Sequence, residues 1–243
     1  MKALILNSGV GRRMGAATQD APKAMTELGC GYTILSRQLE QLQQLGIQEA
    51  IITTGAFATK LMDYANGLAN RPALTYVHNP DFAATNYIVS LHLAAPLLAE
   101  EDLLFLHGDL VLETGVLQDL LQAPHSAMAT DASLPLPQKD FKAQLFQGRI
   151  TSVGVALFGA DCVACQPAYK LLRQDMALWL RSIEAFVARG ETGVYAENAL
   201  NALNGALPLF PLELYGRLCH EIDDPDDLAL VSQRFRCQLA QNP

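Results

Sequence analysis

The chain has 243 residues, 50% of them apolar, and a formal charge of −8. That length and apolar content suffice for one large α/β domain or two small ones with a sizeable core. The acidic balance argues against general nucleic-acid binding, no apolar run approaches membrane-spanning length, and the N-terminus has no signal-type leader, so a cytoplasmic protein without membrane insertion is expected.

The first stretch, Lys2 to Lys23, reads KALILNSGVGRRMGAATQDAPK. Ala3 to Leu6 is an apolar run of buried-strand length. A small-residue turn follows, Asn7-Ser8-Gly9-Val10-Gly11, then Arg12 and Arg13, and Lys23 comes directly after Pro22. Glycines let backbone N–H groups approach an anion, arginine adds bidentate donors and lysine a point charge. A polyphosphate site is predicted here. It is neither common phosphate loop: the third glycine of the dinucleotide fingerprint falls on Met14, and no Gly-Lys-Ser/Thr triplet follows Gly11.

Leu35, Leu39, Leu42 and Leu45 predict a helix closed by Gly46. A strand is expected at 50–54, a helix at 56–65 and a strand at 73–77. Thr85 is placed as the cap of a helix ending near Pro96. Residues 103–106 read as a buried strand leading into His107-Gly108-Asp109. A helix near 116–121 and a strand at 127–130 follow. This alternation predicts an α/β fold, with a mixed, mostly parallel sheet and helices on both faces.

The rhythm changes after Asp131. Pro135 and Pro137 break regular structure, and Gln147-Gly148 predicts a hairpin. A long helix is expected over 169–188, holding the single tryptophan, Trp179, and another over 192–203. Strands near 207–214 and 219–222 and a helix at 227–239 close the chain. The whole, 1–243, reads as one domain with an inserted, lid-like region at approximately 131–205. The five cysteines are scattered, and the lone Cys162-x-x-Cys165 pair reads as free thiols rather than a zinc or redox site.

Several charged groups are candidates for chemistry. Asp109 follows a buried strand, where open α/β sheets place ligand groups. Glu221 and Asp223 are two apart and share a face if extended. Asp109 and Asp223, brought together, could bind Mg²⁺; otherwise Asp223 is an acid at a helix start beside Pro225. Glu197 is a weaker candidate, since an acid on a mixed helix usually faces solvent. In Pro137-Gln138-Lys139-Asp140-Phe141-Lys142, lysines could grip the anion of a zwitterion and aspartate its amine; a surface loop with ordinary charges is the alternative. Tyr169-Lys170 poses the same choice.

Taken in order, Leu6 to Gly15, Ala21-Pro22-Lys23, Thr85-Asn86-Tyr87 through Ser90-Leu91, Leu106-His107-Gly108-Asp109-Leu110 and Glu221-Ile222-Asp223 resemble the nucleotidyltransferases of the sugar-phosphate and phosphocholine cytidylyltransferase kind. That family commonly has Ala-Ala-Gly or Ala-Gly-Gly where this chain has Asn7-Ser8-Gly9. The departure, with His107-Gly108-Asp109, Lys139-Asp140-Phe141-Lys142 and Tyr195-Ala196-Glu197, resembles the phosphonate cytidylyltransferases, which make CMP-2-aminoethylphosphonate. The resemblance implies a Rossmann-like, GT-A-like nucleotidyltransferase fold, CTP as nucleotide, Mg²⁺ as cofactor and a small anionic acceptor. Its product would carry the phosphonate to a lipid or glycan.

The residue roles follow from the same resemblance. Lys23, Arg13 and Asp109 are the catalytic candidates. Leu6, Ser8, Gly9, Gly11, Arg12, Arg13, Lys23, Thr85, Ser90 and Asp109 are the nucleotide-binding candidates. Lys139, Asp140, Lys142, Tyr169 and Glu197 are the acceptor candidates, and Asp109, Asp223 and Glu197 the metal candidates. Phosphocholine and sugar 1-phosphates are the rival acceptors, and a non-catalytic nucleotide sensor is the rival of another class. No motif sets the oligomeric state.

Overall fold

The computed structural model describes residues 1–9, 11, 14, 15 and 18–241. In chain order come β1 (Lys2–Asn7), a 3-10 turn (Lys23–Met25), β2 (Glu27–Gly29), β3 (Tyr32–Thr33), α1 (Ile34–Gln44), β4 (Glu49–Thr54), α2 (Ala58–Gly67) and β5 (Ala73–His78). Next are α3 (Tyr87–Leu98), β6 (Leu103–His107), β7 (Leu110–Leu112), α4 (Thr114–Gln122), β8 (Ala127–Asp131), β9 (Lys142–Phe146) and β10 (Arg149–Gly154). β11 (Cys162–Leu171), α5 (Arg173–Ala188), α6 (Ala196–Asn201), β12 (Phe210–Glu213), β13 (Cys219–Glu221) and α7 (Pro225–Gln241) complete the chain.

The main sheet runs β10-β9-β11-β6-β1-β4-β5, with β8 paired to β11 and β12 paired to β8. The β6-β1-β4-β5 half is parallel, and β11 joins β6 antiparallel. Alternation along β1 explains the layers, because successive side chains on a strand face opposite sides. Leu4 and Leu6 pack with Phe105 against α3, α5 and α6, through Ile88, Leu91, Met176, Trp179, Ile183 and Ala199. Ala3 and Ile5 pack with Leu104 and Leu106 against α1, α2 and α4, through Leu35, Leu39, Leu42, Leu61 and Leu117. The expected fold is therefore the observed one. α7 adds a smaller cluster, with Val231 and Phe235 against Leu28, Ile34, Leu218 and Ile222.

Four local expectations need correcting. The segment 169–171 is the end of β11, not the start of a helix, and α5 begins at Arg173. Asn86, not Thr85, caps α3; its Oδ1 accepts from the Tyr87 N–H at 2.8 Å. The helix expected over 192–203 is only α6. The inserted region is woven into the sheet, since β9 and β11 pair with each other and β11 pairs with β6 and β8. The hairpin at Gln147-Gly148 is present between β9 and β10, with both turn residues at positive φ. Cys162 and Cys165, three apart on β11, face opposite sides, and all five cysteines are free.

Register brings the C-terminal ends of the central strands level. Leu6 lies beside His107 and Thr53, and Asn7 beside Thr54. Beyond them the chain turns sharply at Gly108, whose N–H donates to the Leu6 carbonyl at 2.9 Å. A Cβ at Gly108 would collide with Oδ1 and Cγ of Asn7 and approach the Leu6 carbonyl at 2.6 Å. Gly108→Ala should therefore destabilise the fold by about 1–3 kcal/mol, the usual cost of overpacking. Adding Asn7→Gly should recover the part owed to the carboxamide. Urea denaturation of the two single variants and the double variant tests this.

Candidate active site

Two adjoining cavities open along these strand ends, of about 240 and 180 Å³. The larger is lined by Leu6, Asn7, Gly9, Gly11, Lys23, Gly108, Asp109 and Asp223. The smaller shares Leu6, Gly9 and Asp109 and adds Ser8, Asn79, Thr85, Tyr87, Ser90 and His107.

The first loop leaves β1 through Ser8 and Gly9 and crosses Gly11, which sits at φ +68°. Thr18 Oγ1 donates to the Gly11 carbonyl at 2.8 Å and ties the loop back. Arg12 and Arg13 lie outside the described residues. Pro22, extended at φ −64°, precedes the 3-10 turn that presents Lys23. Lys23 Nζ donates to Asp109 Oδ2 and to Asp223 Oδ1, each at 2.6 Å. Those two oxygens can be no further apart than twice that distance. Burial alone would lower the lysine pKa, but the two carboxylates outweigh it and raise it. Burial likewise pushes Asp109 up, and the Lys23 charge overrides this and holds it low.

Convergence of Asp109 with the late acids follows from a short second sheet. β7 pairs antiparallel with β13, Leu110 beside Glu221, and the Ile222 N–H donates to the Asp109 carbonyl at 2.9 Å. The buried Gln38 braces the turn from α1, its Nε2 donating to the carbonyls of His107 and Leu110 at 2.8 Å each. His107, Asp109 and Glu221 each place a ligand atom within 4.8 Å of the others. His107 Nδ1 lies 2.9 Å from Glu221 Oε1. Burial pushes the Glu221 carboxyl up, and the neighbouring Asp109 charge adds to it. Burial works to lower the His107 pKa, while the bond to Glu221 and its charge raise it further.

Among the described residues, Asn7 Nδ2, Ser8 Oγ, His107 Nε2 and Asp109 Oδ1 are buried without a hydrogen-bond partner. Buried polar atoms are normally satisfied, so four orphans around one cleft fit a site that takes a polar ligand and an ion. Carboxylate oxygens suit a hard divalent cation such as Mg²⁺.

The remaining candidates divide. Thr85 and Ser90 reach the smaller cavity, but Asn79 Nδ2 donates to both their hydroxyl oxygens, at 3.2 and 3.1 Å, and Thr85 donates to the Asp81 carbonyl. Glu197 is 1% exposed and accepts from the hydroxyls of Tyr87 and, at 2.8 Å, Tyr169. It is an oriented buried carboxylate, not a solvated helix acid, and it stands outside the group of potential ligands around Asp109. Tyr169 is fully buried, stacked on Phe105 at 5.1 Å, so it supports Glu197 and cannot touch an acceptor in this structure. Lys142 is also buried; its Nζ donates to the Pro137 carbonyl at 2.8 Å and sits 4.2 Å from the centre of the Phe158 ring. Lys139 is exposed and Asp140 half-buried. Lys170, at the end of β11, turns its ammonium onto the carbonyls of Leu121 and Ala123 at the end of α4.

Sequence reasoning missed His107, Tyr87, Asn79 and Gln38 as site residues. His107 and Tyr87 stand inside the strand-end and helix-start motifs of the sequence, while Asn79 and Gln38 carry no local sign. Tyr87, Tyr195 and Phe141 form an aromatic group, with centroids at 5.9 and 5.1 Å, and Tyr87 meets His107 edge-on at 4.9 Å.

Comparison with known proteins gives the family and the fold. Residues 3–190 match the family described as the MobA-like NTP transferase domain. A CMP-5'-(3-aminopropyl)phosphonate synthase of Streptomyces rubellomurinus is 35% identical over 136 residues, 56% of this chain and 21% of that protein. A choline-phosphate cytidylyltransferase of Streptococcus pneumoniae is 32% identical over 99 residues, 41% of each chain. The matches thus span less than half of either relative. The solved CTP:phosphocholine cytidylyltransferase of Streptococcus pneumoniae superposes with a TM-score of 0.76 at 19% identity, covering 96% of this chain and 98% of that one. Among the described residues, no helix is long and apolar enough to cross a membrane.

Because Tyr169 acts by holding Glu197, Tyr169→Phe should cost roughly 1.5–3 kcal/mol of stability, the range for a hydrogen bond to a charged group. Thermal and urea melts check this, and a loss under about 0.5 kcal/mol, as for an ordinary surface change, would remove the hydroxyl from that role.

Proposed function

The chain belongs to the MobA-like NTP transferase family, and on that premise we propose that it is a cytidylyltransferase joining CTP and 2-aminoethylphosphonate to give CMP-2-aminoethylphosphonate and pyrophosphate. The observation that carries this is Lys23 Nζ held between Asp109 and Asp223 at the mouth of a glycine-lined cavity. Such a site offers a cation and an ion-binding carboxylate pair to one polyphosphate.

In the proposed reaction a phosphonate oxygen attacks the α-phosphorus in line. A new P–O bond forms there, the bond from the α-phosphorus to the bridging oxygen of the β-phosphate breaks, and pyrophosphate leaves with that oxygen. The acceptor is already anionic near neutral pH, as a phosphate monoester with a second pKa of about 6 would be, so no general base is required. The barrier is electrostatic, and positioning with charge neutralisation supplies the catalysis. Lys23 transfers its donors from the carboxylates to the α-phosphate. Arg12 and Arg13 meet the leaving pyrophosphate, and the N–H groups of Gly9 and Gly11 cradle the β- and γ-phosphates. Leu6 and Ser8, with Thr85 and Ser90 beneath, hold cytosine and ribose. Mg²⁺ carried by Asp109 and Asp223 would neutralise charge shared by the α-phosphate and the phosphonate. On the acceptor side, Asp140 meets the ammonium and Lys139 the phosphonate.

Phosphocholine is the second reading, favoured by the grouping of Tyr87, Phe141 and Tyr195. Aromatic faces attract a quaternary ammonium. A pyrophosphate-release assay over four nucleoside triphosphates and the acceptors 2-aminoethylphosphonate, 3-aminopropylphosphonate, phosphocholine and a sugar 1-phosphate separates the readings. CTP with the aminoalkylphosphonates should give the highest kcat/KM; no CTP consumption with any acceptor would refute the proposal. Lys23→Ala and Asp109→Ala should each lose about 10²–10³ in kcat, or roughly 3–4 kcal/mol, as when one preorganised charge-stabilising group is removed. Near-normal turnover in either would remove that residue from the mechanism. Asp140→Ala should harm 2-aminoethylphosphonate more than ethylphosphonate, and equal losses would count against the ammonium contact.

A further inference from the structure

Among the described residues, His107 and Tyr87 are the ionisable groups lining the cleft that the transfer reaction leaves unused, and His107 is the one that can ligate a metal. It ends β6, is 8% exposed, and its two ring nitrogens have different surroundings. Nδ1 lies 2.9 Å from Glu221 Oε1. With Glu221 accepting from Nδ1, a neutral imidazole presents Nε2 as its lone-pair nitrogen. Nε2 is buried and, among the described residues, takes no hydrogen bond.

Asp109 is divided in the same way. Its Oδ2 accepts from Lys23 at 2.6 Å, while Oδ1 is buried and without a partner among the described residues. Both orphaned atoms belong to residues of one cluster, His107, Asp109 and Glu221, each of which offers a ligand atom within 4.8 Å of the others. Acceptors so placed repel, and burial raises the cost of leaving them empty. A carboxylate on the far side of a neutral imidazole is the arrangement that orients a histidine toward a metal ion.

We propose that His107 Nε2 and Asp109 Oδ1 are ligands of the site's divalent cation, with Glu221 fixing the imidazole, and that this nitrogen makes the site favour Co²⁺ or Mn²⁺ over Mg²⁺. The proposal rests on the metal-assisted transfer given above and adds a ligand to it. Lys23 occupies Oδ2, so Oδ1 is the oxygen of Asp109 open to the ion. Imidazole nitrogen strengthens binding of transition ions, which follow the order Mn²⁺ below Co²⁺, whereas Mg²⁺ prefers oxygen and retained water.

The test is electron spin-echo spectroscopy of Mn²⁺ bound to the whole chain, with and without CTP. A directly bonded imidazole ¹⁴N modulates the echo, and protein labelled with ¹⁵N-histidine must replace that pattern with the ¹⁵N one. His107→Gln should lose the modulation and His220→Gln keep it. Glu221→Gln should keep the modulation but weaken Mn²⁺ binding about 10–100-fold, as for a lost supporting carboxylate. Mn²⁺ that binds in an Asp109-dependent way without nitrogen modulation overturns the His107 assignment and leaves the transfer reaction standing. Failure to bind Mn²⁺ under either condition overturns both. The wild-type echo decides the matter even where a variant does not fold.

Discussion

One ammonium group organises this molecule. Lys23 Nζ meets carboxylates 86 and 200 positions further along the chain, each at 2.6 Å. A charge taken out of water is tolerated only where it is paired and hydrogen-bonded. Here each partner meets the other's need, and the shifts agree: the lysine is raised and Asp109 lowered, both against the direction burial would push them. The rest of the architecture supplies the three approaches. The 3-10 turn after Pro22 brings the lysine, the Gly108 turn brings Asp109, and the β7–β13 pairing carries Asp223 to the same point.

What could be read from the chain was whatever depends on neighbours in sequence. The strand of 2–7, the acid after the buried strand at 103–107 and Glu221 at the end of a late strand are local patterns, and each stands where expected. Thr85 against Asn86 shows the limit, because two adjacent capping residues compete and only tertiary contacts decide. Thr85 is drawn off by Asn79 and the Asp81 carbonyl, which leaves Asn86 to cap α3. β11 is not foreseen from sequence: 162–168 carry no expected element, and 169–171 run straight into a strongly helical segment; pairing with β6 and β8 overrides that preference.

Long polar side chains were the other blind spot. Lys142 and Gln38 look solvent-facing by composition, yet both are buried and spend their donors on backbone carbonyls. Tyr169 looked like a binding group, but it stands behind Glu197, and the residue nearer the cleft on the same carboxylate is Tyr87. In each case sequence gives the chemistry of the side chain, while the partner comes from a distant element. Glu197 illustrates the consequence: its carboxylate was taken for a ligand, and its oxygens are held by two tyrosine hydroxyls from α3 and β11.

The Lys23 triad also constrains the order of events in the proposed reaction. If the lysine left alone, two carboxylate oxygens within twice 2.6 Å would face each other without its charge between them, beside a Glu221 whose pKa burial already raises and the Asp109 charge raises further. Like charges so close in a partly dry site repel strongly. The lysine can move to a phosphate only as another cation takes its place on Asp109 and Asp223. Arrival of the nucleotide with its ion satisfies both conditions at once, since the phosphates attract the lysine and the ion replaces it. An acceptor arriving first carries its ammonium toward Asp140 in the proposed reaction and brings no ion to Asp109 and Asp223. In the proposed reaction, nucleotide before acceptor is therefore the order that keeps Asp109 and Asp223 paired with a cation throughout.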